Sequence, residues 1–289
     1  MLSSLKAGAV TGFVALSLVG CGAAAEGDSS IGFDESLNGG STASAKARYL
    51  ALGDSIAFGY SPLVTTRADP GAYRGYPEII GSVRGNSVDN AGCVGETSGS
   101  LLSATAADNG CRQWKAAFSL HADYETTQIE FAESYIGAHP STAFVTIDIG
   151  ANDLLLLQKS CLGDAACIQA ALPGVLGAYA QNLGATYARL RAVGFAGKFV
   201  ALTLYATNYN DALSVGAITA LNQTMAAVTA GAGGVVADGF DAFKTVATKS
   251  KGDACAAGLL IKLANGTCDI HPSEKGQGIL AAAVLGVAR

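Results

Sequence analysis

Charge is what this sequence has least of: 14% of its 289 residues are Asp, Glu, Lys or Arg, against about a quarter in ordinary soluble domains. The basic residues are scattered and the formal net charge is −5, so the positive stripe by which a polynucleotide binder holds phosphates is missing. No nucleic-acid partner is expected. Histidine is scarce too, at three, and no two cysteines stand at C-x₂-C spacing, which argues against a structural zinc site. No metal or cofactor is expected. G-x-S-x-G occurs nowhere, so the strand-to-helix elbow that presents serine in one large class of hydrolases is not available. No internal repeat divides the chain. What is abundant is apolar residue, half of the total, enough for one large and well-buried core.

The ends of the chain differ in character. Residues 1–20 carry one positive side chain, Lys6, and then an apolar span too short to cross a bilayer, as in a signal peptide. The span ends Leu18-Val19-Gly20-Cys21, which resembles the lipobox of bacterial lipoproteins; that resemblance implies cleavage before Cys21 and acylation of its sulfur. A plain secretory peptide cut near Ala23 to Ala25 is the alternative. Both expect export, to the cell envelope or beyond it, with membrane contact only through the anchor. Residues 21–47, rich in Gly, Ser, Ala and Asn without apolar period, read as a flexible tether, and 48–289 as one domain, expected to be a monomer. Within that domain stand six cysteines, an even set that suits an oxidising compartment. Nearest-neighbour pairing would close three local loops: Cys93 with Cys111, Cys161 with Cys167, and Cys255 with Cys268.

Along the domain, apolar runs of strand length alternate with helical periodicity. Strands are expected near 49–53, 87–90, 142–149, 199–204 and 235–237. Helices are expected at 76–83, 97–102, 126–138, 165–192 with a break at Pro173, 212–230, after Gly239, and 276–285. Such alternation argues for a parallel α/β sheet covered on both faces, because parallel neighbours need crossover connections. In 49–60, YLALGDSIAFGY, the first strand stops at Gly53-Asp54 and exposes Ser55 at the sheet edge. The 142–149 strand, TAFVTIDI, stops likewise at Gly150-Ala151-Asn152-Asp153, which puts Asn152 on the same edge, with Asp153 as the cap of the following helix. Between them NAGCVGETS carries Gly95 in a tight turn whose N–H groups are left free. His271 stands between a cysteine and Pro272 and is rigidly placed, whereas His121 and His139 read as surface residues. The loop over 61–76 is expected to shape whatever site these residues form.

Gly53-Asp54-Ser55, Gly95, Gly150-Ala151-Asn152-Asp153 and His271-Pro272, in that order and spacing, resemble the SGNH branch of the GDSL hydrolases. The four blocks span nearly the whole domain. The resemblance implies a three-layer α/β/α sandwich, flavodoxin-like, around a five-stranded parallel sheet. It implies an esterase or lipase in which Ser55 attacks a carboxylic ester and His271 takes its proton, acting on a small-molecule or lipid ester. It also implies an oxyanion hole made by the N–H of Ser55, the N–H of Gly95 and the side-chain amide of Asn152. Two departures stand out. The histidine-orienting aspartate of the family lies three residues before the histidine, where this chain has Cys268, so either Asp269 or the Cys268 carbonyl would orient His271. Ile56 replaces a leucine, an exchange of one core side chain for another. A polysaccharide O-deacetylase or an acyltransferase would use the same residues, and a lipid-anchored binding module could keep the fold without the chemistry.

Overall fold

Strand residues in this chain divide between two cores according to their parity. In β1 (Arg48–Gly53), Leu50 and Leu52 pack into one apolar cluster while Tyr49 and Ala51 pack into another. The same split recurs in β3 (Phe144–Asp148), with Val145 and Ile147 on one side and Phe144 on the other. Side chains alternate across a pleated strand, so two apolar sets mean a sheet covered on both faces. The structure, a computed structural model, describes residues 47–288. The proposed signal sequence, Cys21 and nearly all of the tether therefore lie outside the described residues.

The chain runs through α1 (Ser55–Phe58), α2 (Tyr76–Arg84), β2 (Ser87–Asn90), α3 (Ser98–Leu102), α4 (Cys111–Ala117) and α5 (Gln128–Ala138) to β3. It continues through α6 (Ala151–Ser160), α7 (Ala165–Ala192), β4 (Lys198–Leu202), α8 (Ala212–Gly231), β5 (Val235–Ala237) and α9 (Gly239–Ala247). A two-stranded hairpin, β6 (Leu260–Lys262) and β7 (Cys268–Pro272), then leads into α10 (Glu274–Val287). The main sheet is parallel throughout, in the order β2-β1-β3-β4-β5. Leu101 of α3, Ile129 and Ile136 of α5, Leu183 and Leu190 of α7, and Leu221 and Met225 of α8 cover one face. Ile80 of α2, Phe243 of α9, and Leu280 and Val284 of α10 cover the other. This is the parallel sheet covered on both faces that the alternation argues for, and the three-layer α/β/α sandwich around five strands that the resemblance implies; the C-termini of these five strands share one edge.

Two local expectations fail. The long helix does not break at Pro173: α7 is continuous over 28 residues. A proline inside a helix removes one backbone hydrogen bond and crowds the preceding turn, at about 3 kcal/mol. Here Pro173 faces solvent, where water can serve the freed carbonyl, while Ile168, Leu172 and Leu176 on the inward face anchor the helix on either side. Asp153 does not cap α6 either. Gly150, at φ +119°, is the cap residue, so Asp153 already lies inside the first turn. Its carboxylate instead accepts from the N–H and hydroxyl of Ser98 at 2.9 and 2.6 Å, tying α6 to the start of α3.

The three local disulfides are present as paired above. Two of them fasten segments at the C-terminal edge of the sheet. Cys93–Cys111 closes the loop that holds Gly95, and Cys255–Cys268 ties down the strand that holds His271. Closing loops of 18 and 13 residues removes disorder from the unfolded chain worth on the order of 3 kcal/mol each.

Candidate active site

At the end of β1 the backbone turns hard against its neighbour. Gly53 has φ +149°, and a Cβ there would lie 2.3 Å from the carbonyl oxygen of Asp148, so only glycine fits. The Asp54 N–H donates to that same Asp148 oxygen at 3.1 Å. The Asp54 carboxylate then accepts from the Ile56 N–H at 2.9 Å and starts α1 with Ser55 as its first residue. From across the sheet edge, the buried carboxamide of Gln128 grips Gly53 by both backbone groups, accepting from its N–H at 2.7 Å and donating to its carbonyl at 2.9 Å.

His271 arrives from the far end of the chain. Its Nε2 lies 2.9 Å from Ser55 Oγ. Its Nδ1 is hydrogen-bonded to Asp269 Oδ1, and the same oxygen accepts from the His271 backbone N–H at 3.0 Å. Asp269, not the Cys268 carbonyl, therefore faces the ring. Period two along β7 accounts for this: residues 269 and 271 share one face while Ile270 points outward, 47% exposed. Hydrogen bonding from His271 holds the Asp269 carboxyl below the usual carboxylate range. Tyr60 packs edge-on against the imidazole, with ring centroids 4.7 Å apart. Ser55 is 8% exposed and sits at the sheet edge with its oxygen turned to the imidazole.

The expected oxyanion donors come together in the same corner. Neither the Ser55 nor the Gly95 N–H has a hydrogen-bond acceptor among the described residues. Gly95 needs to be glycine for a reason other than open approach: its φ is +87°, and a Cβ would meet the Asn109 carbonyl oxygen at 2.6 Å. Asn152, 4% exposed, directs its Nδ2 at the Glu96 carbonyl oxygen, 2.8 Å away, and at Asp54 Oδ2, 3.2 Å away. Its Oδ1 accepts from Asn109 Nδ2 at 2.9 Å.

A hydroxyl bonded to an imidazole, with unpaired N–H groups beside it, is suited to acyl transfer from an ester. Comparison with known proteins agrees. The profile of the GDSL-like lipase/acylhydrolase family matches residues 51–279. The chain belongs to this family. It is a carboxylic ester hydrolase, and the binding-module alternative falls. No curated protein matches it significantly.

Solved structures of this GDSL hydrolase's neighbours share its fold at low identity. Phospholipase A1 from Streptomyces albidoflavus NA297 superposes with a TM-score of 0.57 at 20% identity, covering 85% of this chain and 100% of its own. An acetyl xylan esterase from Geobacillus stearothermophilus gives 0.53 at 19%, covering 84% and 95%. A lipase from a goat rumen metagenome gives 0.52 at 15%, covering 84% and 97%.

Several neighbours of the site carry no sequence signal: Gln128, Asn109, Tyr60 and Glu96. His121, expected at the surface, instead packs on the Phe58 ring with Nε2 3.0 Å from the Phe58 carbonyl oxygen. The carboxyl of Glu96 is close to both sulfurs of Cys93 and Cys111, but these are bonded to each other and do not make a thiolate metal site.

Burial pushes the Glu96 carboxyl up to about 7, against hydrogen bonds from Ser100 and Gln128 that favour its charge. Burial likewise holds Asp54 and Asp148 above the ordinary range; the Asp54 charge raises Asp148 further, and the charges of Asp153 and Glu96 raise Asp54. For Glu96 the sign of the linkage is fixed: the folded state keeps a proton that the unfolded state gives up near 4.5. Its share of stability is therefore full below that value and is lost as pH climbs toward 7. Asp54 acts in the same sense and Asp269 in the opposite one, so a variant isolates Glu96. Glu96→Gln is expected to gain on the wild type between pH 5 and pH 8, by up to about 3 kcal/mol. Thermal melts that stay parallel across that range would contradict the assignment.

Proposed function

We propose that this hydrolase works through an acyl-enzyme on Ser55. His271 Nε2 accepts the Ser55 proton as Oγ adds to the ester carbonyl carbon, then returns it to the departing alcohol. Water enters by the same route: His271 takes its proton, the hydroxyl adds to the acyl carbon, and Ser55 leaves with the proton restored. The observation that carries this reading is the continuous line Ser55 Oγ, His271 Nε2, His271 Nδ1, Asp269 Oδ1. Asp269 keeps the imidazole in the tautomer that leaves Nε2 free to accept, and balances the imidazolium once it forms.

The oxyanion would be met by the unpaired N–H groups of Ser55 and Gly95 and by Asn152. Both amide hydrogens of Asn152 have acceptors at rest, but the 3.2 Å contact to Asp54 is the longer of the two. That is the hydrogen free to turn to a negative oxygen. Each such donor is worth about 3 kcal/mol in barrier height.

Export completes the proposal, with cleavage before Cys21 and a lipid on its sulfur. Its support is the lipobox-like ending and the complete pairing of the other six cysteines. One experiment reads both parts. Protein recovered from cells is treated with a fluorophosphonate, which phosphonylates activated serines, and its intact mass is measured. One adduct, mapped to Ser55, is expected on a chain that begins at an acylated Cys21. An unlabelled protein removes the serine mechanism, and an N-terminus beyond Cys21 removes the anchor.

A further inference from the structure

The loop bridged by Cys93–Cys111 carries one residue that holds two of the three expected oxyanion donors. Asn109 donates its backbone N–H to the Gly95 carbonyl at 2.8 Å. Its side-chain Nδ2 donates to Asn152 Oδ1 at 2.9 Å. The first bond fixes the plane of the peptide that follows Gly95, and with it the turn that leaves the Gly95 N–H open. The second holds the oxygen end of the Asn152 carboxamide, whose nitrogen end is held by Glu96 and Asp54.

That choice of end is not arbitrary. The Glu96 carbonyl oxygen can only accept, so the Asn152 atom 2.8 Å from it must be nitrogen. The other end is then oxygen, and it needs a donor. Asn109 Nδ2 is that donor, and Asn109 is otherwise exposed at the rim of the site. Without it, the oxygen of Asn152 would be held by nothing on that side, and the amide could turn its nitrogen away from the substrate.

We propose that Asn109 is the positioning residue of the oxyanion hole, aligning the Gly95 peptide through its main chain and the Asn152 amide through its side chain. This rests on the reading of Asn152 as an oxyanion donor. The test is a double-mutant cycle on kcat and KM with a chromogenic ester, using Asn109→Asp and Asn152→Ala. An aspartate at 109 keeps the backbone bond but can only accept, so it draws the Asn152 nitrogen toward itself. Asn152→Ala is expected to lower kcat by about 100-fold. Asn109→Asp should lower kcat by about 30-fold with KM within about twofold, and should cost less than about twofold once Asn152 is alanine.

A merely structural role would move melting temperature or KM and would add in full to Asn152→Ala. If Asn109→Asp lowers the melting temperature appreciably, Asn109→Ala replaces it in the cycle, with the same expected loss of additivity. An Asn109 variant of wild-type kcat beside a crippled Asn152→Ala overturns the inference alone. A fully active Asn152→Ala overturns the oxyanion reading beneath it.

Discussion

Ser55→Ala is expected to lower kcat for a chromogenic ester by about 10⁶-fold, the scale seen when a serine nucleophile is removed from a triad that acts as a unit. At 1.36 kcal/mol per decade this is about 8 kcal/mol of barrier, on the scale expected for loss of His271 and more than any one oxyanion donor should supply. The loss is large because nothing else can form the covalent bond. Ser55 Oγ is the hydroxyl bonded to the imidazole, and an alanine leaves only water activated by His271 next to the oxyanion donors. Stability should barely change, since the one hydrogen bond deleted leaves Nε2 of a partly exposed histidine within reach of solvent. A variant that folds, binds ester with unchanged KM and turns over within about 100-fold of the wild type would show that Ser55 is not the nucleophile.

How much of this was legible beforehand depends on the range of the interaction. The five strands of the main sheet and most of the helices follow from periodicity and from glycines at strand ends, because those signals are local: β2 and β5 fall on the expected residues, and β1, β3 and β4 within two, whereas the β6–β7 hairpin carries no such signal. Ser55 and Asn152 are legible because each follows the glycine that ends a strand, and His271 because it stands between a cysteine and Pro272. The disulfides are legible because each closes a short loop. What sequence does not reveal is contact at long separation. Gln128 grips Gly53 from 75 residues away, and Asn109 reaches Asn152 across 43. Neither belongs to a motif, and a carboxamide in a loop or at a helix start gives no sign of its partner. Pro173 and Asp153 are of the same kind: local rules break the helix at one and cap α6 with the other, and tertiary neighbours override both.

Asp269 is where local and family rules disagree, and it carries the second large effect. The family spacing would put the carboxylate three residues ahead of the histidine, but here position 268 is taken by a cysteine bonded to Cys255. A strand places residues two apart on one face, so moving the aspartate to 269 keeps it beside the ring. The cost is geometric: one oxygen, Oδ1, must serve both the His271 N–H and Nδ1. Asp269→Asn is therefore a sharp test. The amide is the same size, and its oxygen can still accept both bonds, but the negative charge that steadies the imidazolium is gone. If the amide instead turns its nitrogen to Nδ1, the ring is forced into the tautomer that cannot take the Ser55 proton. Both outcomes lower kcat, and the second is the more severe. A loss of about 10³-fold or more in kcat is expected, with KM nearly unchanged. Because His271 holds the Asp269 carboxyl below the ordinary range, that carboxyl is ionised throughout pH 5 to 8, and its charge is there to be lost at each pH of that span. Were the Cys268 carbonyl the true orienting group, Asp269→Asn would keep kcat within a few-fold of the wild type. Breaking the Cys255–Cys268 bond by Cys255→Ser would then do the greater damage.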